Sequence, residues 1–197
     1  MGSMTELRAT AKLNFNYPQD QHISSLAQRI QNIQWYSANA PRSTTLVESL
    51  IGEFGQAMKL PEFAVHWLSS NELQSVCIQI NLAQSPLWDR LFPIPHHLRR
   101  DAETLGLTDQ LQFISNEMLE KIFHSAYDGA FTAFEANGDL TVKYAVGTAL
   151  YISGLALGWE LLANAGTLGP NPFIHLIAIF ESGHWPLGLY NGEFYVR

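Results

Sequence analysis

Apolar residues recur at helical spacing through much of the chain. Residues 20–36 place Ile23, Leu26, Ala27, Ile30 and Ile33 on one face behind Asp20, a capping residue type, and so predict a helix. A second helix opens on the capping-box pair Thr45 and Glu48. It carries Leu46, Val47, Leu50, Ile51, Phe54 and Met58, with Pro61 beyond it as a stop. Residues 109–136 are the most periodic. Leu111, Ile114, Met118, Leu119, Ile122, Phe123, Ala126, Tyr127, Ala130, Phe131 and Phe134 form one wide stripe, which Asn137 and Gly138 end. Residues 142–164 are apolar on nearly every side and predict a central buried helix. A last helix starts at Asn171 and Pro172, a cap and a first-turn proline, and ends near Ser182 and Gly183.

Strand signals are fewer. Phe63 to Trp67 is a short apolar run between Pro61 and Ser69, and it reads as a strand. The clearest β feature spans 185–196, where two apolar runs flank Asn191 and Gly192, the favoured type I′ turn dipeptide. Strands are expected at 186–190 and 193–196. An isolated hairpin is marginal in water, so a third strand is needed, and 63–67 is the expected partner. Residues 69–83 send both signals: Ser69 and Glu72 suit a helix start, while Val76, Ile78, Ile80 and Leu82 alternate as in a strand. Helix is the preferred reading there. The expected fold class is α+β, a mainly helical single domain with a small antiparallel sheet that includes the C-terminal β-hairpin. Phe123, Phe131, Tyr151, Leu155, Ile177 and Phe180 are expected in its core.

Composition agrees with a full-sized core. The chain has 197 residues, 47% of them hydrophobic, and a chain of that length buries roughly 70% of its unfolded surface. One globular domain over 4–197 is expected, behind Met1, Gly2 and Ser3, which read as a cloning scar. The formal charge is −7, and it is concentrated: residues 101–139 hold eight acids and one base, Lys121. This balance argues against nucleic acid and anionic membranes as partners. From 144 to 196 the charged side chains are Glu160, Glu181 and Glu193. The uncharged run at 144–159 is 16 residues long, short of the roughly 20 that span a bilayer, so a core helix is the preferred reading. Gly154 and Gly158 within it would let another element approach closely. Cys77 is the single cysteine and reads as a buried, inert thiol. With no secretory signal visible, a cytoplasmic location is expected.

Two motifs carry a resemblance. Leu60 and Pro61, separated by four residues from His66 and Trp67, with Ser69 and Ser70 following, resemble a strand entry found in a family of bacterial helical proteins of no assigned activity. The tail, Asn171, Pro172 and Phe173 through Trp185, Pro186, Gly188, Asn191, Gly192, Phe194 and Val196, is similar to theirs. The chain departs from the pattern at Ser70, where that family has proline. About 40 residues are covered. The resemblance implies a helical domain ending in a hairpin and implies no chemistry.

Three groups of residues are candidates for chemistry. Glu120, His124 and Asp128 lie at i, i+4 and i+8 on one helix face beside Glu117 and Lys121. That spacing suits a divalent metal or a solvated ladder of charge pairs, and the ladder is preferred, so no metal or other cofactor is expected. His96, His97, Arg99 and Arg100 follow Pro93 and Pro95 in what reads as a stiffened surface loop ahead of a helix. Arginine forks there would suit a phosphate or carboxylate. Glu181 and His184 sit between the last helix and the hairpin, and the dipeptides His66-Trp67 and His184-Trp185 would meet at one sheet and line a pocket there. Nucleophile-elbow, zinc-protease and phosphate-loop motifs do not occur in the sequence.

The preferred reading is a non-enzymatic, intracellular protein–protein interaction domain, bound to a protein partner or to itself. Its expected interface is the hairpin with Trp185, Tyr190, Phe194 and Tyr195, because charge-poor, aromatic-rich surface typifies interface cores. The alternative is a small enzyme or anionic-ligand-binding protein using a pocket of His96, His97, Arg99, Arg100, Glu181 and His184.

Overall fold

The computed structural model describes residues 18–36, 44–69, 72, 75, 94–138, 142–190 and 192–197. The elements are α1 (Pro18–Gln31), α2 (Thr44–Ala57), β1 (Ala64–Trp67), α3 (Ile94–Thr104), α4 (Thr108–Phe113), a π-helical turn (Ile114–Met118), α5 (Leu119–Asn137), α6 (Val142–Asn164), α7 (Phe173–Glu181), β2 (Pro186–Tyr190) and β3 (Glu193–Val196). The chain is thus α+β, mostly helical, with one small sheet. The ambiguous stretch at 73–83, with Cys77, lies outside the described residues.

α6 is apolar around its whole circumference, and it packs against α1, α3, α5 and α7. Ala149, Ile152, Leu155, Ala156, Leu157, Leu161 and Leu162 are all buried. The helix is long and apolar enough to cross a membrane, but 61% of that stretch is buried inside the chain, as in a core helix. Gly158 is one reason the packing is close: a Cβ there would lie 3.1 Å from the Leu98 side chain of α3. The end points follow from local chemistry. Gly138 adopts φ 69° after α5, and the Asn171 side chain accepts a hydrogen bond from the Phe173 amide at the start of α7.

Two helix starts differ from the sequence reading. α1 begins at Pro18, so Asp20 falls inside its first turn, a place where proline at the front is preorganised. α1 also stops at Gln31, and Tyr36, with φ 57°, lies in the turn that follows. In α2 the helix starts at Thr44, and Glu48 accepts a hydrogen bond from Trp67 Nε1 at 3.1 Å. Ser69 makes half of its capping box: its amide donates to the Glu72 carboxylate, but its hydroxyl donates there too, and the Glu72 amide bonds the Ser69 carbonyl instead.

The sheet order is β1-β3-β2. The hairpin strands pair antiparallel, with Leu189 opposite Phe194 and Gly192 between them at φ 78°, while Asn191 lies outside the described residues. β1 joins as the expected third strand, but it runs parallel to β3, with Val65 opposite Phe194 and Trp67 opposite Val196. The sheet is therefore mixed rather than antiparallel. Parallel pairing needs a long crossover, and most of the chain separates the two strands. α7 touches both α6 and β2, and α2 packs on α7. Phe54 of α2 meets Phe173 at 6.1 Å and Phe194 at 6.4 Å, so the α2–α7 pair joins the sheet to the helices.

Core expectations hold for Leu155, Ile177 and Phe180, which are buried, while Tyr151 is half-buried. Phe123 and Phe131 are corrections, because both are exposed. The reason lies in the face that α5 buries. That face is made of Ile122, Ala126, Gly129, Ala130 and Ala133. Small residues let neighbouring helices come close, and a Cβ on Gly129 would lie 2.6 Å from Trp35 Cβ. The wide apolar stripe is only partly buried, and its large rings stand outside.

These packing differences separate three variants in urea unfolding. Leu155→Ala should cost about 2–5 kcal/mol, and Gly129→Ala about 1–3 kcal/mol through overpacking against Trp35. Phe131→Ala should stay within about 0.5 kcal/mol, as exposed positions do. A large loss for Phe131→Ala would return that ring to the core.

Candidate functional site

His96, His97, Arg99 and Arg100 lie on α3, which starts at Ile94 and replaces the expected loop with a helix. Proline is tolerated in a first helical turn, so Pro95 does not prevent this. Leu98 and Ala102 face the core, which turns the four basic side chains outward, and all four are exposed. They spread over a wide arc of the helix surface instead of converging on a point. Arg100 also pairs with Asp101 at 3.5 Å.

Glu181 ends α7, and Arg29 of α1 grips it with a two-pronged contact at 2.5 and 2.6 Å. The carboxylate raises the Arg29 pKa above its ordinary value through that hydrogen bond. His184 is buried. The Ser182 hydroxyl donates to the Ile179 carbonyl at 2.7 Å, which leaves His184 Nδ1 as the donor in its 2.9 Å contact with the Ser182 oxygen. The Trp67 ring stands edge-on to His184 at 5.4 Å. The two His-Trp dipeptides do meet, as expected, but their members divide. Trp67 goes to His184, whereas His66 lies against Tyr195 with ring centres 5.0 Å apart. Alternation along β1 sends neighbouring side chains to opposite faces. Glu181 and His184 are thus engaged in holding α7 and the sheet. α3 packs with α4 and α6, while α7 packs with α2, α6 and β2, so the basic group and the Glu181–His184 group sit on different elements of the fold.

Three of the four hairpin aromatics differ from the exposed interface expected of them. Trp185, Phe194 and Tyr195 are buried within the chain. Phe194 packs on Phe54 and Phe63, and Trp185 lies 6.3 Å from Tyr36. Pro186 to Leu189 are buried as well, Gly188 included, so the β2 edge is covered rather than offered to another strand. The side chain of Tyr190 lies outside the described residues.

Glu120, His124 and Asp128 are exposed on the outer face of α5. Among the described residues, no three His, Cys, Asp or Glu side chains come together to hold a metal. The same helix holds what the sequence reading missed. Phe123, Tyr127 and Phe131 are 38%, 52% and 50% exposed, and they recur every four residues, so they form one ridge. Phe123 and Tyr127 touch, with ring centres 5.8 Å apart. A legible signal was present: Ala126, Gly129, Ala130 and Ala133 mark the close-packed face, and the rings lie beside it.

Burial holds the Tyr36 hydroxyl neutral, above the ordinary tyrosine range. At the sheet, Glu193 accepts a hydrogen bond from the Tyr195 hydroxyl at 2.7 Å and lies 3.5 Å from His66 Nδ1. The Tyr195 bond is the larger cause of the lowered Glu193 pKa, and His66 adds to it. A depressed carboxylate pKa stabilises the fold above its unfolded value and is lost as pH falls through the folded one. Tyr195→Phe should therefore raise the Glu193 pKa toward its ordinary value and shift this acid loss to higher pH. Carboxyl NMR titration reads the change directly, and an unmoved Glu193 would remove Tyr195 as its cause.

No protein-family model, curated protein or solved structure matches this chain.

Proposed function

We propose that this chain is a cytoplasmic, non-enzymatic protein–protein interaction domain, with the outer face of α5 as its working surface. The observation that carries the reading is the ridge of Phe123, Tyr127 and Phe131. Three large rings on one helix face, each more than a third exposed, form an apolar patch of the kind that marks interaction sites. Aromatic residues are the side chains most enriched at interface centres. The polar candidates support the same reading: Glu181 is tied to Arg29, His184 is packed under Trp67, and the α3 basic groups point outward over a wide arc. Trp185, Phe194 and Tyr195 of the hairpin fill the core, which favours α5 over the hairpin as the working surface. A net charge of −7 weighs against nucleic acid, and the burial of α6 weighs against a membrane.

Photo-crosslinking tests this directly. A benzoyl-phenylalanine at position 127 should give discrete protein adducts in cells, and the same group at Leu46, exposed on α2, should give none. A stoichiometric metal or small molecule retained in native mass spectrometry would overturn the reading in favour of a ligand-binding protein.

A further inference from the structure

The ridge has a chemical asymmetry that names its partner. On the α5 wheel, Ile122, Ala126, Gly129 and Ala130 face the core, and Phe123, Tyr127 and Phe131 come next. Glu120 lies in the arc of the rings, between Tyr127 and Phe131, and past Phe131 come His124, Glu135, Asp128 and Lys121, all exposed. Lys121 is the one base in the whole 101–139 segment. A two-turn apolar strip, about 12 Å from Phe123 to Phe131, thus has three carboxylates in and beside it against one lysine.

We infer that this face receives an amphipathic helix of a partner protein that carries apolar anchors at i and i+4 beside a row of Lys or Arg. The inference rests on the interaction reading above and identifies the chemistry of the occupant. Rings take the anchors, and the carboxylates take the cations, which sets orientation and speeds encounter. A second copy fits less well. A symmetric pairing of two α5 ridges would set one group of carboxylates against another, and like charges brought together are disfavoured. A head-to-tail pairing with the basic α3 face would offer His96, His97, Arg99 and Arg100 but, among the described residues there, only Leu105 as a large exposed apolar side chain, and not a pair of anchors for the rings.

The full chain can be tested with fluorescein-labelled peptides of leucine and lysine designed as amphipathic helices, and with matched peptides carrying glutamate for lysine. Fluorescence anisotropy should show binding of the lysine peptide and not of the glutamate peptide. Phe123→Ser with Phe131→Ser should weaken that binding about tenfold or more, while Leu46→Ser leaves it unchanged. The triple reversal Glu120→Lys, Asp128→Lys and Glu135→Lys should exchange the preference, so that the glutamate peptide now binds. This second variant alters exposed positions only, and its gain of binding cannot come from unfolding. Equal binding of the lysine peptide by wild type and the ridge double variant overturns the inference. So does a dimer in sedimentation that Phe131→Ser dissociates, because the occupant is then a second copy. Adducts at position 127 without lysine-peptide binding leave the interaction reading in place and remove only the cationic partner.

Discussion

The structure depends on one requirement: α6 has no side that water favours. A helix apolar on all faces must be enclosed, and here α1, α3, α5 and α7 enclose it. The neighbours must then give their best packing surfaces to α6. Gly158 admits Leu98 of α3, and α5 turns its alanines and glycine inward. What a neighbour does not use for this purpose is left outside. The exposed ridge of α5 is thus a by-product of close packing on the other side of the same helix.

The same logic divides what the sequence revealed from what it hid. The bounds of α6 and of the hairpin strands were legible because all-round apolarity and an Asn-Gly turn are strong local signals. The fate of Phe123 and Phe131 was not. Periodicity says which residues share a face, but not how wide an arc the neighbours cover, and that depends on the size of the side chains in the contact. Parallel pairing of β1 with β3 was hidden for a different reason: register between distant segments is set by tertiary packing. Distance also concealed the partner of Glu181, because Arg29 is 152 positions away.

Polar residues clustered in sequence proved poor guides to a site. His96 to Arg100 became one outer helix face, since a helix distributes adjacent residues around its axis. Glu181 and His184 were close in sequence and are both occupied, one by a guanidinium fork and one by a serine and an indole. Their roles as ties between α1, α7 and the sheet account for them physically. The α5 ridge, in contrast, consists of large rings that stand outside the core.

The place of β3 in the sheet bears on how the protein is made. The central strand is the last of the three to be synthesised, and β1 precedes it by well over half the chain. During translation β1 emerges with no strand to pair with, and it stays so while α3 through α7 leave the ribosome. The sheet therefore cannot close co-translationally until Glu193 to Val196 clear the exit tunnel. Its contacts are of the non-local kind that form slowly. Until then the open edge of β1, with Val65 and Trp67, is a surface that chaperones would be expected to shield.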